Sequence, residues 1–166
     1  MANIIQSLVS VLQKTFSKEA VVFIISLMPI LELRGGLIAS AILKIPYFKA
    51  AIICIIGNIL PIPFILLFLN KIFKIMEKWK PTKNIVTFLR NKAIKNKAKI
   101  DKYGFWGLVL FVGIPLPGTG AWTGSLIASV FNMDIKKASL GIFLGIILAF
   151  IIMSIISYGL IGNIIR

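Results

Sequence analysis

The sequence predicts an all-α integral membrane protein made of two inverted-topology repeats, each a re-entrant helical hairpin plus one transmembrane helix. Three observations carry this. The apolar runs "AAIICIIGNILPIPFILLFL" (50–69) and "ASLGIFLGIILAFIIMSIISYGLIG" (138–162) reach the ~20 residues needed to cross a ~30 Å hydrocarbon core. Each half also carries a pair of shorter apolar runs interrupted by glycine, and in the second half by proline. Finally, "LIAS" stands at both 37–40 and 126–129, and a shift of 89 residues places Gly35 on Gly124. With one residue of slippage Gly57 falls on Gly145, so both halves follow the same order of elements.

Along the chain, residues 1–19 form an amphipathic N-terminal helix. Ile4, Ile5, Leu8, Val11 and Leu12 recur at helical spacing opposite Gln6, Ser7, Ser10, Gln13 and Lys14, the pattern of an interfacial helix. The first repeat covers 20–70. Its runs "AVVFIISLMPIL" (20–31) and "LIASAIL" (37–43) are each too short to span at 1.5 Å per residue, and "ELRGG" is the expected turn between them. The alternative, here and in the second half, is one kinked transmembrane helix, and the hairpin is preferred for the basic bends that follow. The following long helix should kink at Asn58, Pro61 and Pro63. Residues 71–102 form a basic loop, broken by Pro81. The second repeat, 103–163, places "FWGLVLFVGI" (105–114) and "AWTGSLIASVF" (121–131) around "PLPGTG", with its long helix after them. Lys14 and Lys18 ahead of an apolar run, with Ala39-Ser40-Ala41 beyond, imitate a signal peptide. Glu32 and Arg34 interrupt that pattern, and no cleavage is expected.

Charge fixes the expected orientation. The chain has 166 residues, a mean hydropathy of +0.98, 58% hydrophobic residues and a formal net charge of +14. Eleven Lys/Arg lie between Lys71 and Lys102, so that loop should be cytoplasmic by the positive-inside rule. A hairpin that returns to its own side gives each half one net crossing. Thirteen Lys/Arg then face inward (the eleven, Lys136 and Lys137) against five outward (14, 18, 44, 49 and 166). The basic loop is expected to meet anionic lipid headgroups; no base-reading module points to nucleic acid.

Composition also limits chemistry. There is no histidine and a single cysteine, Cys54. No disulfide framework, metal centre or cofactor is expected. With no Ser–Lys or carboxylate dyad in view, neither is an enzyme.

The candidate site gathers the polar and irregular positions at membrane depth, where exposed backbone needs protein or water to cover it. Glu32 and Arg34 are ionisable residues well inside an apolar segment, and each costs about 2.5–3.5 kcal/mol there unless paired or hydrated. Two readings stand side by side: a structural pair satisfying the turn, or a carboxyl that binds a proton or cation. Gly35 and Gly36, with Gly118, Thr119 and Gly120, are expected to open the returning half-helices. Their unpaired amides could then hold an anionic group, with Arg34, Thr119 and Thr123 as further donors. Close packing through small residues explains the same glycines. Asn58, Pro115, Pro117 and Trp122 complete the expected wall.

"PILELRGGLIASAIL" and "YGFWGLVLFVGIPLPGTGAWTGSLIAS" together resemble the small multidrug export protein family, small prokaryotic membrane proteins. The resemblance covers most of the chain. It implies location in a prokaryotic plasma membrane and a transport role. That family is distantly similar to the DedA/VTT membrane proteins, which pair re-entrant hairpins and are associated with lipid flipping and proton-motive-force-dependent phenotypes. By this resemblance Glu32 would be the acid of the first hairpin and Pro115–Gly118 the turn of the second. DedA-type second hairpins carry arginines beside that turn, whereas Ile114 and Thr119 stand here.

The expected function is a transporter or flippase for an amphipathic, lipid-like, anionic substrate, proton-coupled through Glu32. The alternatives are a proton-coupled exporter of lipophilic drugs and a non-transport scaffold with a lipid-binding basic loop. The expected partners are membrane lipids, the substrate and a second copy of the chain as a homodimer.

Overall fold

The computed structural model describes residues 2–76, 78, 84, 86–88, 91, 94, 104–116, 118–131 and 133–160. Most of the basic loop, its break at Pro81, and Pro117 lie outside the described residues, which are helical throughout apart from turns and short connections. The helices are α1 Ala2–Leu12, α2 Lys18–Leu27, α3 Glu32–Ile42, α4 Tyr47–Ile59, α5 Ile62–Met76, α6 Gly104–Gly113, α7 Ala121–Val130 and α8 Ile135–Ser154. A π-helical turn, Ile155–Leu160, follows α8.

Length separates two classes. α4 and the first half of α5 form one apolar span, Tyr47–Leu69, and α8 forms another, Ile135–Ser157, each of 23 residues. At 1.5 Å per residue each is about 35 Å long, enough to cross a bilayer. The first span is interrupted between Ile59, where α4 ends, and Ile62, where α5 begins; Pro61, one of the expected kink positions, has no N–H to continue the ladder. α2, α3, α6 and α7 have only 10 or 11 residues each, about 15 Å of helix. None of these four is long enough to cross by itself.

In the first half the boundary differs from the sequence reading. α2 is capped by Ser17, whose hydroxyl accepts from Ala20 N at 3.3 Å, and it stops before Pro29. Met28, the residue before that proline, is extended (φ −68°, ψ 137°), as the proline ring requires. The turn is therefore Met28–Leu31, and "ELRGG" forms the first turns of α3. Gly35 and Gly36 are helical, and the Gly35 amide donates to Leu31 O at 2.8 Å. The expected unpaired amides at Gly35 and Gly36 are not there: proline ended the first helix earlier than glycine would have. What the glycine at 36 does is admit Ser26 and Cys54, whose side chains occupy the space a Cβ would take. In the second half α6 and α7 begin and end within one residue of their expected limits.

Packing interleaves the halves. α2 packs along α3 and α4; α6 packs along α8; and the second short helix of each pair reaches across, α3 to α8 and α7 to α5. The core is apolar, with Ile25, Leu33 and Leu37 from the first half and Leu108, Ile127, Ile142 and Ile146 from the second all fully buried. The two glycines aligned by the internal repeat do the same job. A Cβ at Gly57 would lie 3.1 Å from Phe23 O on α2, and one at Gly145 would lie 2.9 Å from Val109 O on α6. Each lets a long helix cross the backbone of a short one, the close approach that small residues permit between helices in membranes. Gly145→Ala would also bring its methyl 2.5 Å from the Val112 Cβ. Expected is a loss of about 1–3 kcal/mol from forced overpacking, read as a lower midpoint of thermal unfolding in detergent.

The N-terminal helix turns its apolar strip onto protein. Ile5 and Val9 are buried where α1 packs on α3, while Ile4 and Val11 remain over 60% exposed. At the start of α2, Glu19 accepts from Lys49 Nζ at 2.7 Å and tethers it to the start of α4. The pair is exposed and adds little stability.

Candidate functional site

The two helical pairs meet at their turns, and the meeting is made by opposite charges on opposite helix ends. Glu32 is the first residue of α3 and is 4% exposed. Its carboxylate accepts from Ala121 N (Oε2, 3.1 Å) and Trp122 N (Oε1, 3.0 Å), the first amides of α7. A helix N-terminus leaves such amides without intrahelical partners and carries partial positive charge. Glu32 thus caps a helix 89 residues away in sequence. Gly120, the residue before α7, has φ 132° and ψ −175°, a setting reserved for glycine. A Cβ there would sit inside the Glu32 carboxylate.

Arg34 treats the other helix of the pair in the complementary way. Nη1 donates to Leu116 O at 2.7 Å, and Nη2 is directed at Ile114 O (3.2 Å), Thr119 Oγ1 (3.0 Å) and, more distantly, Val112 O (3.4 Å). These carbonyls belong to the last turn of α6 and its continuation, the negative end of the helix dipole, where a planar guanidinium can serve several acceptors at once. The Thr119 hydroxyl lies 2.9 Å from Ile114 O and 2.8 Å from Leu116 O and donates to one of them, which fixes the loop around the guanidinium. Acid on the amino end and base on the carboxyl end form a clamp.

The geometry has a local cost. Glu32 takes φ 51°, a left-handed setting that costs a residue with a Cβ about 1–2 kcal/mol. A charged cap in a dry site offsets it, since hydrogen bonds to ionised groups contribute about 1.5–3 kcal/mol.

Of the sequence-predicted residues, the structure brings Glu32, Arg34, Thr119, Gly120 and Trp122 together. The amides of α7, expected to await an anionic ligand, already hold Glu32. Gly35 and Gly36 stand within α3 and support packing. Gly118 has φ 80° with nothing within 4 Å of a Cβ, so it serves the turn and not the contact. Pro115 is half-buried and Thr123 partly buried, neither with a side chain in the clamp; Pro117 lies outside the described residues. Asn58 is 2% exposed, and its Oδ1, like the buried Trp122 Nε1, has no hydrogen-bond partner among the described residues. Sequence reasoning missed the acceptors and donors supplied by backbone, at Val112, Ile114, Leu116 and Ala121. The signal for them was the helix ends themselves, which must find partners in an apolar medium.

Two bilayer-length helices and two half-length helical pairs, clamped turn to turn by the buried Glu32 and the half-buried Arg34, define a small helical membrane protein with an irregular, polar contact between its halves. Residues 32–152 match the family described as "Putative small multi-drug export protein", and the chain belongs to that family. No curated protein and no solved structure matches the chain.

Proposed function

We propose that this protein is a small membrane transporter that exports lipophilic compounds, with the Glu32–Arg34 clamp as its gate. The observation that carries the reading is the double capping of the second turn by Glu32 and Arg34. Glu32 and Arg34 satisfy the backbone of the second turn, as the structural reading expects; the gate reading adds that the same contacts hold two half-length segments together and must be released for them to part. In this reading α2–α3 and α6–α7 are re-entrant hairpins of inverted repeats. The matched Gly57 and Gly145 crossings and the reciprocal reach of α3 and α7 into the opposite half support that symmetry. The family description favours a drug-like cargo over a lipid. An anionic headgroup would have to displace Glu32 from α7, and no free amides await it at Gly35, which reduces the lipid-flipping alternative.

Opening requires weakening the cap. Protonating Glu32 removes the charge that the α7 dipole attracts and turns an acceptor into a donor facing two amides. A proton entering on Glu32 as cargo leaves would couple the two. The test is efflux of a lipophilic dye from proteoliposomes under an imposed pH gradient. Glu32→Gln keeps size and an acceptor oxygen but cannot titrate; it should remove the dependence on the gradient while leaving the protein folded. Gradient-driven efflux equal to wild type would eliminate Glu32 as the coupling group.

A further inference from the structure

A second feature lies on the far side of the first turn. Ile4 and Leu8 of α1 and Met28, Pro29, Ile30 and Leu31 line an open apolar groove of about 530 Å³, with Ile4 61% and Ile30 86% exposed at its rim. Pockets that hold drug-sized molecules run to ~300–1,000 Å³ and are lined mostly by apolar groups. Ile4 and Leu8 also line an adjoining recess of about 460 Å³, whose other walls are Asn3, Ser7 and Val11. The two spaces thus share a pair of side chains and differ in chemistry: one is greasy, the other has an amide and a hydroxyl at its edge.

We infer that this groove is the binding site for the apolar body of the exported compound, an amphipath whose polar end is an uncharged hydrogen-bonding group meeting Asn3 and Ser7. This rests on the transporter reading above and names the substrate class for it. Charge complementarity selects the class. None of the described residues that line either space is charged, so they offer an ionic end no counter-ion, whereas Asn3 and Ser7 offer an uncharged one hydrogen-bonding partners. Continuity with the gate selects a cargo over a passive filler. The groove wall is the Met28–Leu31 turn itself; its Met28 carbonyl accepts from the Glu32 amide at 2.9 Å, and Leu31 directly precedes Glu32. An occupant pressing on this wall moves the backbone that carries the clamp's acid. Proline at 29 makes the wall stiff, so the displacement is passed on rather than absorbed.

Photolabelling in lipid nanodiscs tests this without requiring transport. The probe is a neutral aryl alcohol bearing a diazirine, compared with its sulfate ester on the same aryl body, with crosslinked residues mapped by peptide mass spectrometry. Saturable labelling by the alcohol should concentrate on Ile4, Leu8 and 28–31, and the sulfate ester should label them roughly tenfold less, equivalent to about 1.4 kcal/mol. Leu8→Trp fills the space and should abolish the saturable part, whereas Leu8→Ala enlarges it and should keep labelling. Labelling spread evenly onto the exposed apolar Ile52, Ile56 and Phe64, or unchanged in Leu8→Trp, overturns the site. So does occupation by a diazirine-bearing phospholipid chain that excess alcohol does not displace, which would make the groove a lipid seat. Loss of gradient coupling in Glu32→Gln with no labelling of the groove would keep the transporter and discard this site; the reverse pattern would keep the site and discard the gate.

Discussion

Gly120→Ala is expected to lower stability by about 2–5 kcal/mol, the sum of a backbone setting that only glycine accepts and the displacement of a buried cap. The methyl would be placed within the Glu32 carboxylate, so either the carboxylate leaves Ala121 and Trp122 or the turn moves away from α3. Both outcomes leave backbone amides unpaired in an apolar setting. Thermal unfolding in detergent measures the loss. Gly118→Ala is the internal comparison: it also has positive φ, at 80°, but has open space around the Cβ, so only the conformational cost of about 1–2 kcal/mol applies. Combining Gly120→Ala with Glu32→Ala should cost much less than the two losses added, because both remove the same cap. Simple additivity would mean that the two residues do not act through each other.

Arg34→Ala should cost about 1.5–3 kcal/mol, the range for hydrogen bonds to a charged group, because the guanidinium is half-buried and not sealed from solvent. The guanidinium is the shared donor to Leu116 O and Ile114 O and orients Thr119. Those carbonyls keep weaker local partners, since Leu116 N donates to Ile114 O and Thr119 N to Leu116 O. This holds the cost below that of fully orphaned groups. Arg34→Lys separates charge from shape: one ammonium can reach the end of α6 but cannot span carbonyls on both sides of the loop. Its unfolding midpoint should fall between those of wild type and Arg34→Ala. A lysine variant as unstable as the alanine one would show that geometry outweighs charge; one equal to wild type would remove the forked contact from the account.

Much of this arrangement was legible before any coordinates. Apolar length distinguished the two long helices from the four short ones, because membrane thickness sets a hard threshold. Glu32 and Arg34 drew attention because charge at depth is expensive. The repeat aligned Gly57 with Gly145, and both lie at close helix crossings. Three things were hidden. Pro29 overruled the glycines in setting the first turn, a contest between two helix breakers that spacing alone did not decide. The partners of Glu32 and Arg34 are backbone groups, which carry no mark in a sequence. And α1 lays Ile5 and Val9 on α3, leaving beside Ile4 and Leu8 a hollow that no periodicity foretells.

The reciprocal capping of one half by the other bears on how the chain is made. During synthesis the first half emerges before the second, bringing an acid and a base whose mates, at 112–122, lie roughly eighty to ninety residues further along the chain. Until the ribosome delivers them, the early half must wait with its charges wetted by water or held by the insertion machinery. Neither half is a finished folding unit, and separately translated fragments would each begin life with a deficit that only the other can cancel.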